Sequence, residues 1–278
     1  MSAEGYHAAV GAFFSNEVEA LEELDRTNAI HAYIRRESLA ALKRSFTPPG
    51  PLLEFGFGTG TEAIELARAG FRLVGVDPSE AMVNRAKEKA DREGVAPLCD
   101  FRLGSTADAG SLLEEFGEES FAGAFATLGP LNCEPNLEGF SAQLARLLFP
   151  GAALVALVIN RLCVWETALF LCKGDFRKAF RRAAREWAPL RDASSGAPIP
   201  VFTYSPRSFA RRFEPHFEVA DCFALPAVLP PPYADRVLAR FGGLPKLLET
   251  ADRRLARRWP VAFLGDHFEI VLRRTERT

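Results

Sequence analysis

The sequence predicts an α/β protein built on a mostly parallel sheet with helices on both faces, and three observations carry that prediction. Short β-rich runs alternate with helical segments from Pro51 onward, a glycine-rich turn joins the first strand to the helix after it, and the second strand ends in an aspartate. Strands separated by helices imply parallel pairing, because each strand–helix unit is short enough for a right-handed crossover.

Taken in order, residues 1–47 are rich in Ala, Leu and Glu and read as a helical cover, stopped by Thr47-Pro48-Pro49-Gly50. Strands are expected at Pro51–Phe55, Phe71–Val76, Leu98–Leu103, Phe121–Thr127 and Ala152–Ile159. A helix should fill Thr61–Ala69. Another should fill Asn136–Phe149, where Leu137, Phe140, Leu144 and Leu148 recur at helical spacing before Pro150-Gly151 breaks the chain. After Asn160 the regularity loosens into an arginine-rich helical segment at about 164–187, a loop holding Ser194-Ser195-Gly196, and a short strand at Ile199–Tyr204. A strand at Phe217–Phe223 follows, then Pro226, Pro230-Pro231-Pro232, helical residues to about 258, and a last strand at His267–Leu272. The expected organisation is a cover (1–47) and one domain (48–278), with insertions at about 161–215 and 224–262.

Composition narrows the class. The 278 residues are 48% hydrophobic and 25% charged, ordinary for a globular protein. A net charge of −2 gives no global field for nucleic acid, so none is expected as a partner. The five cysteines are scattered without CxxC spacing and read as reduced thiols, with no metal site implied. Several acids precede the first arginine, Arg26, the reverse of an export signal, and the longest apolar run, Gly151–Ile159, falls short of the ~20 residues of a membrane helix. A cytoplasmic location without stable membrane insertion is expected. Nothing sets the oligomeric state.

The densest signal is Leu52-Leu53-Glu54-Phe55-Gly56-Phe57-Gly58-Thr59-Gly60, a strand running into three alternating glycines. Glycine lets a backbone turn sharply and approach a ligand closely. Val74-Gly75-Val76-Asp77 ends the next strand in a carboxylate able to accept from both hydroxyls of a ribose. A dinucleotide loop would need glycine where Thr61 stands, and a phosphate-cradling loop would need a lysine that is absent.

Glu54-x-Gly56-x-Gly58-x-Gly60, followed by Val76-Asp77-Pro78-Ser79 and Ala81-Met82, resembles the first two motifs of class I S-adenosylmethionine-dependent methyltransferases. The resemblance covers roughly residues 48–160 and implies a Rossmann-like, seven-stranded, mostly parallel sheet with helices on both faces and insertions after strands 5 and 6. It implies that the Gly56–Gly60 loop, Phe57 included, backs the methionine part of the cofactor, that Glu54 orients the loop or the cofactor amine, and that Asp77 holds the ribose beside Pro78 and Met82. The third motif departs: Gly104-Ser105 stands where many relatives carry Gly-Asp, so Ser105 and the backbone of Thr106 would serve the adenine. Thr127-Leu128-Gly129-Pro130-Leu131-Asn132-Cys133 is similar to a stretch in a bacterial small-molecule subgroup, which implies cofactor contacts from Thr127, Leu128 and Gly129 and an Asn132 facing the transferring methyl or the acceptor. A turn asparagine is the competing reading. Tyr6-His7, Asn28 and Arg35 look like the leading helices that fold over the cofactor, which places Tyr6 among its contacts.

A sulfonium methyl is already electrophilic, so alignment, with about 7–11 kcal/mol in its gift, outweighs a general base at about 10²–10⁴-fold. If a base acts, the resemblance implies a last strand antiparallel to the others, which would bring Gly265-Asp266-His267 beside the pocket, with His267 accepting a proton and Asp266 orienting it or binding a cationic acceptor. His216 belongs at the far edge. Asn160, Arg161, Trp165 and Tyr233, in segments leaving the strand ends, are the acceptor-site candidates. Lys173, Arg177, Lys178, Arg181, Arg182 and Arg185, and again Arg253, Arg254, Arg257 and Arg258, form basic clusters that read as solvated faces or as contacts for an anionic or amphiphilic partner. The expected chemistry is methyl transfer to an O, N or C nucleophile of a small molecule, or of an amphiphilic or lipid-like one, leaving S-adenosylhomocysteine. A non-catalytic protein that binds S-adenosylmethionine is the alternative; aminopropyl transfer would want a cluster of acids for a polyamine.

Overall fold

The computed structural model describes residues 2–183, 186–192, 195–235 and 244–276; Arg185 and Ser194 lie outside them. Three helices lead: α1 (Ala3–Ser15), α2 (Val18–Thr27) and α3 (Ala29–Ser45). Asn28 both separates and anchors the last two. Its Oδ1 accepts the His31 N–H at 2.8 Å as the cap of α3, and its Nδ2 donates to the Pro232 carbonyl at 2.8 Å.

The alternation then follows: β1 (Pro51–Phe55), α4 (Thr61–Arg68), β2 (Arg72–Asp77), α5 (Glu80–Arg92), β3 (Cys99–Leu103), α6 (Ala109–Phe116), β4 (Phe121–Ala126), α7 (Leu137–Leu147) and β5 (Leu148–Ile159). Later come α8 (Val164–Cys172), α9 (Phe176–Ala179), β6 (Glu186–Arg191), β7 (Pro198–Phe202), α10 (Pro206–Ala210), β8 (Phe217–Leu225), the helix Leu244–Leu255 and β9 (His267–Arg274). Seven strands form one sheet in the order β3-β2-β1-β4-β5-β9-β8. Every neighbouring pair from β3 to β5 is parallel, and β9 runs antiparallel to both β5 and β8.

Period-two alternation divides the core between the faces. Leu53, Phe55, Leu154 and Ala156 pack with α6 and α7, while Leu52, Leu73, Phe125 and Val155 pack with α3, α4 and α5. Central strands buried on both faces read as unbroken apolar runs, which is why β5 looks continuous in sequence. Because the inner strands are parallel, the loops after β1, β2, β3, β4 and β5 gather at one edge. The antiparallel β9 brings its first residue there too, His267 lying in register with Ile159.

The segment expected to be one helix at 164–187 is not one. Gly174, at φ +71°, ends α8, and Asp175 opens α9 by accepting the Lys178 N–H at 3.0 Å. A 3₁₀ turn at Arg181–Ala183 follows, and β6 pairs antiparallel with β7 as a separate ribbon. No described helix is long and apolar enough to cross a membrane.

Candidate functional site

A cleft with about 960 Å³ of empty space opens at the edge where the parallel strands end. Its floor is Gly56–Thr59. Asp77, Pro78 and Met82 form one wall with Ser105 and Thr106, and Thr127–Pro130 with Cys133 form the other. His7, Val10, Phe14 and Leu21 roof it from α1 and α2, and Arg35 and Glu62 close one end.

The glycines divide their work. A Cβ on Gly56 would stand 2.5 Å from Pro130 Cβ and one on Gly60 2.9 Å from Ala86 Cβ, so these two serve packing of the loop against its neighbours. Gly58, at φ +54°, has nothing within 4 Å of that position, so its bare backbone faces open space. Gly60 is therefore not in the cleft wall, contrary to expectation. Asp77 joins loop to strand: Oδ2 accepts the Gly58 N–H at 2.8 Å and Oδ1 the Ser79 N–H at 2.9 Å. Burial pushes the Asp77 carboxyl up to about 6, with the two backbone N–H groups pulling against it.

Glu54 lies beneath the loop rather than in the wall. Both its oxygens are buried without a hydrogen-bond partner among the described residues, so it does not orient the loop by hydrogen bonding; Asp77 does. Burial, reinforced by Glu62 and Asp77 and opposed by Arg35, holds the Glu54 carboxyl well above its ordinary range. The Arg35 guanidinium, which composition and spacing did not single out for this role, lies 2.5 and 2.6 Å from the Glu62 oxygens and 2.7 Å from Asp25 Oδ1. His31 Nδ1 is 3.0 Å from the same Asp25 oxygen.

The roof is pinned at both ends. Near its start His7 Nε2 lies 3.2 Å from Glu134 Oε2, which also accepts the Thr106 hydroxyl. Burial works to raise the Glu134 carboxyl, but His7, Thr106 and the Asn136 N–H together hold it below its usual value. Near its end Ser15 Oγ meets Ser79 Oγ at 2.8 Å. Between these, a Cβ on Gly11 would stand only 2.0 Å from the Pro78 carbonyl oxygen, so α1 docks on bare glycine backbone. Tyr6 serves the roof from outside the wall, its hydroxyl donating to the Pro200 carbonyl at 2.7 Å.

Several expected site residues turn out to hold the edge together instead. Asn132, fully buried, accepts the Ile159 N–H at 2.9 Å and donates to the Phe202 carbonyl at 2.6 Å, so it clamps β5 and β7 rather than facing the cleft. Asn160 donates to the Phe263 and Gly265 carbonyls at 2.9 and 3.1 Å, and Arg161 donates to the Thr203 carbonyl at 3.1 Å. Trp165 Nε1 donates to the Val228 carbonyl at 2.6 Å and the Tyr233 hydroxyl to Glu166 at 3.2 Å. None of these, nor Asp266 or His267, lines the cleft.

They do meet one another at the same edge. His267 Nδ1 lies 3.0 Å from Asp266 Oδ2, whose other oxygen accepts from Arg182 at 2.8 Å. Burial alone would raise the Asp266 carboxyl, yet His267 and Arg182 hold it well below the carboxylate range. Glu166 joins Arg182 and Arg181 behind it. Ile159 separates the two clusters, pairing in register with His267 while its Cγ1 sits 3.5 Å from the place of a Cβ on Gly129.

Residues 52–151 match the family described as methyltransferase domain. The erythromycin 3''-O-methyltransferase of Saccharopolyspora erythraea is 30% identical over 158 residues, 56% of this chain and 46% of that protein. The ubiquinone biosynthesis O-methyltransferase of Maricaulis maris is 31% identical over 110 residues, 40% of this chain and 41% of that one. The chain thus spans less than half the length of these curated relatives. Among solved structures, the Burkholderia thailandensis 1,6-didemethyltoxoflavin-N1-methyltransferase superposes with a TM-score of 0.60 at 17% identity, over 99% of this chain and 92% of that one.

Proposed function

We propose, for a chain that carries a class I methyltransferase domain over residues 52–151, transfer of a methyl group from S-adenosylmethionine to an O, N or C nucleophile of a small molecule. The observation that carries the reading is the union of Gly58 and Asp77 under one cleft: an open backbone cradle tied to a buried carboxyl with acceptor capacity to spare. The orphaned oxygens of Glu54 beneath the loop also suit a cationic ligand above it.

In this reading Asp77 accepts from the ribose hydroxyls, Pro78 and Met82 pack the base, and Ser105 and Thr106 meet its edge. Thr127, Leu128 and Gly129 line the approach to the methyl. Glu54, with the Arg35–Glu62–Asp25 cluster, tunes the field at the amino-acid end. S-adenosylmethionine supplies an electrophilic methyl on a sulfonium, and S-adenosylhomocysteine is what remains. The protein's part is to align the acceptor and exclude water.

The acceptor enters from the side of β5 and β9. His267, whose Nδ1 lies 3.0 Å from Asp266 Oδ2, is the base candidate on that side, a ring nitrogen taking the proton from the nucleophile. Two relatives named as O-methyltransferases and a structure named as an N1-methyltransferase support a small-molecule acceptor without fixing the atom.

Incubation with methyl-labelled S-adenosylmethionine and a panel of phenols, sugars and heterocyclic amines tests the reading. Label transferred to one acceptor class, and reduced in His267→Asn, supports it. Tight cofactor binding with no transfer to any acceptor would favour a sensing or scaffolding role.

A further inference from the structure

Helix α8 is inside out. Over its nine residues, Val-Trp-Glu-Thr-Ala-Leu-Phe-Leu-Cys, the buried side chain is Glu166, and Val164, Ala168, Leu171 and Cys172 form an exposed stripe at i, i+4, i+7 and i+8. An apolar helix normally turns such a stripe to the core. Here the buried charge network of Glu166 with Arg181 and Arg182 fixes the opposite rotation. Beyond the Gly174 turn, Phe176 and Phe180 add exposures of 66% and 54%.

The rim of this surface is cationic. Lys173, Lys178 and Arg181 surround the Phe170 ring, with charged atoms 5.8, 5.8 and 5.3 Å from its centroid, and Arg177 adds a fourth basic group against two acids, the buried Glu166 paired with Arg181 and Asp175 paired with Lys178. The hairpin is tied to the turn before β9, where the Val164 N–H donates to the Leu264 carbonyl at 3.1 Å.

We propose that the α8–α9 hairpin, residues 164–181, docks the protein on an anionic lipid bilayer surface. Charge complementarity selects that occupant. A second copy of the chain meeting this patch through a two-fold axis would bring like charges together. A bilayer accepts apolar side chains on several sides of a short helix and offers phosphate groups to the surrounding lysines and arginines. No spanning segment is needed. The proposal stands independently of methyl transfer, since it concerns a surface rather than the cleft.

The test is co-sedimentation of the full chain with phosphatidylglycerol–phosphatidylcholine vesicles and with phosphatidylcholine vesicles alone. The expected result is partition onto the anionic vesicles only, weakened by salt and by about fivefold for each of Lys173→Gln, Arg177→Gln and Lys178→Gln. Phe176→Ser/Phe180→Ser should also release the protein, while Arg253→Gln/Arg254→Gln in the other basic cluster should leave partition unchanged. Circular dichroism and melting of each variant report its fold. Absence of partition by the wild-type protein, or partition indifferent to residues 173–180, would overturn the proposal. So would a concentration-dependent dimer, dissolved by Phe176→Ser, that ignores vesicles.

Discussion

Gly58 donates its backbone N–H to Oδ2 of Asp77 at 2.8 Å, so the glycine loop after β1 and the acid ending β2 form one unit. The carboxyl that holds the loop is the one proposed to hold the ribose, and burial pushes it up to about 6. Hydroxyl donors favour the ionised form. Cofactor binding below pH 6 must therefore release a proton, and affinity should fall as pH falls through 6, approaching tenfold per unit. Titration of S-adenosylhomocysteine between pH 5 and 8 checks this, with Asp77→Asn giving weaker binding and a flatter profile.

The roof has a point where no side chain fits. Gly11→Ala places a methyl against the Pro78 carbonyl, so α1 must lift or shift. We expect a cost of about 1–3 kcal/mol, read as a fall in Tm, and looser cofactor binding from a displaced roof. A variant with unchanged Tm and affinity would show that α1 is not held as described.

Glu269 is a buried acid with no hydrogen-bond partner among the described residues, and burial, opposed by Arg44 and Arg257, pushes its carboxyl up to about 8 from an ordinary 4.5. The folded protein then binds a proton that the unfolded chain has lost between those values. Stability contributed by this group declines as pH rises from about 4.5 to 8 and levels above it. Glu269→Gln should remove that slope and raise denaturant stability at pH 8 relative to wild type, with little gain at pH 5.

Asn132 and His267 should separate structure from chemistry. Asn132→Ala strands the Ile159 N–H and the Phe202 carbonyl, and should cost about 1–3 kcal/mol in denaturant melts. His267→Asn should leave melting nearly unchanged and reduce kcat by about 10²–10⁴-fold if His267 acts as the base. Equal losses of stability in both variants would argue for a structural histidine.

What the sequence disclosed and what it withheld divide along a physical line. The sheet, the loop and Asp77 were legible because local rules write them: period-two strands, glycines where the backbone turns, an acid at a strand end. The single helix expected at 164–187 was misread because its composition suits a helix throughout, while Gly174 at φ +71° ends α8 and Asp175 caps a new start. Asn132 looked like a site residue because asparagine in a glycine-rich turn has the same local signature whether it faces a ligand or clamps two strands. The pairing of His7 with Glu134, and of Arg35 with Glu62, joins residues far apart in the chain, and no local pattern announces which distant acid a basic side chain will meet.

The central claim is that the cleft over Gly58 and Asp77 takes S-adenosylmethionine, and calorimetric titration of the full chain tests it most directly. Binding of S-adenosylmethionine and S-adenosylhomocysteine, weakened about 10- to 100-fold in a folded Asp77→Ala variant and absent for NADH, is the predicted result. No binding of either sulfur nucleoside to the folded protein, or a preference for NADH, would contradict it.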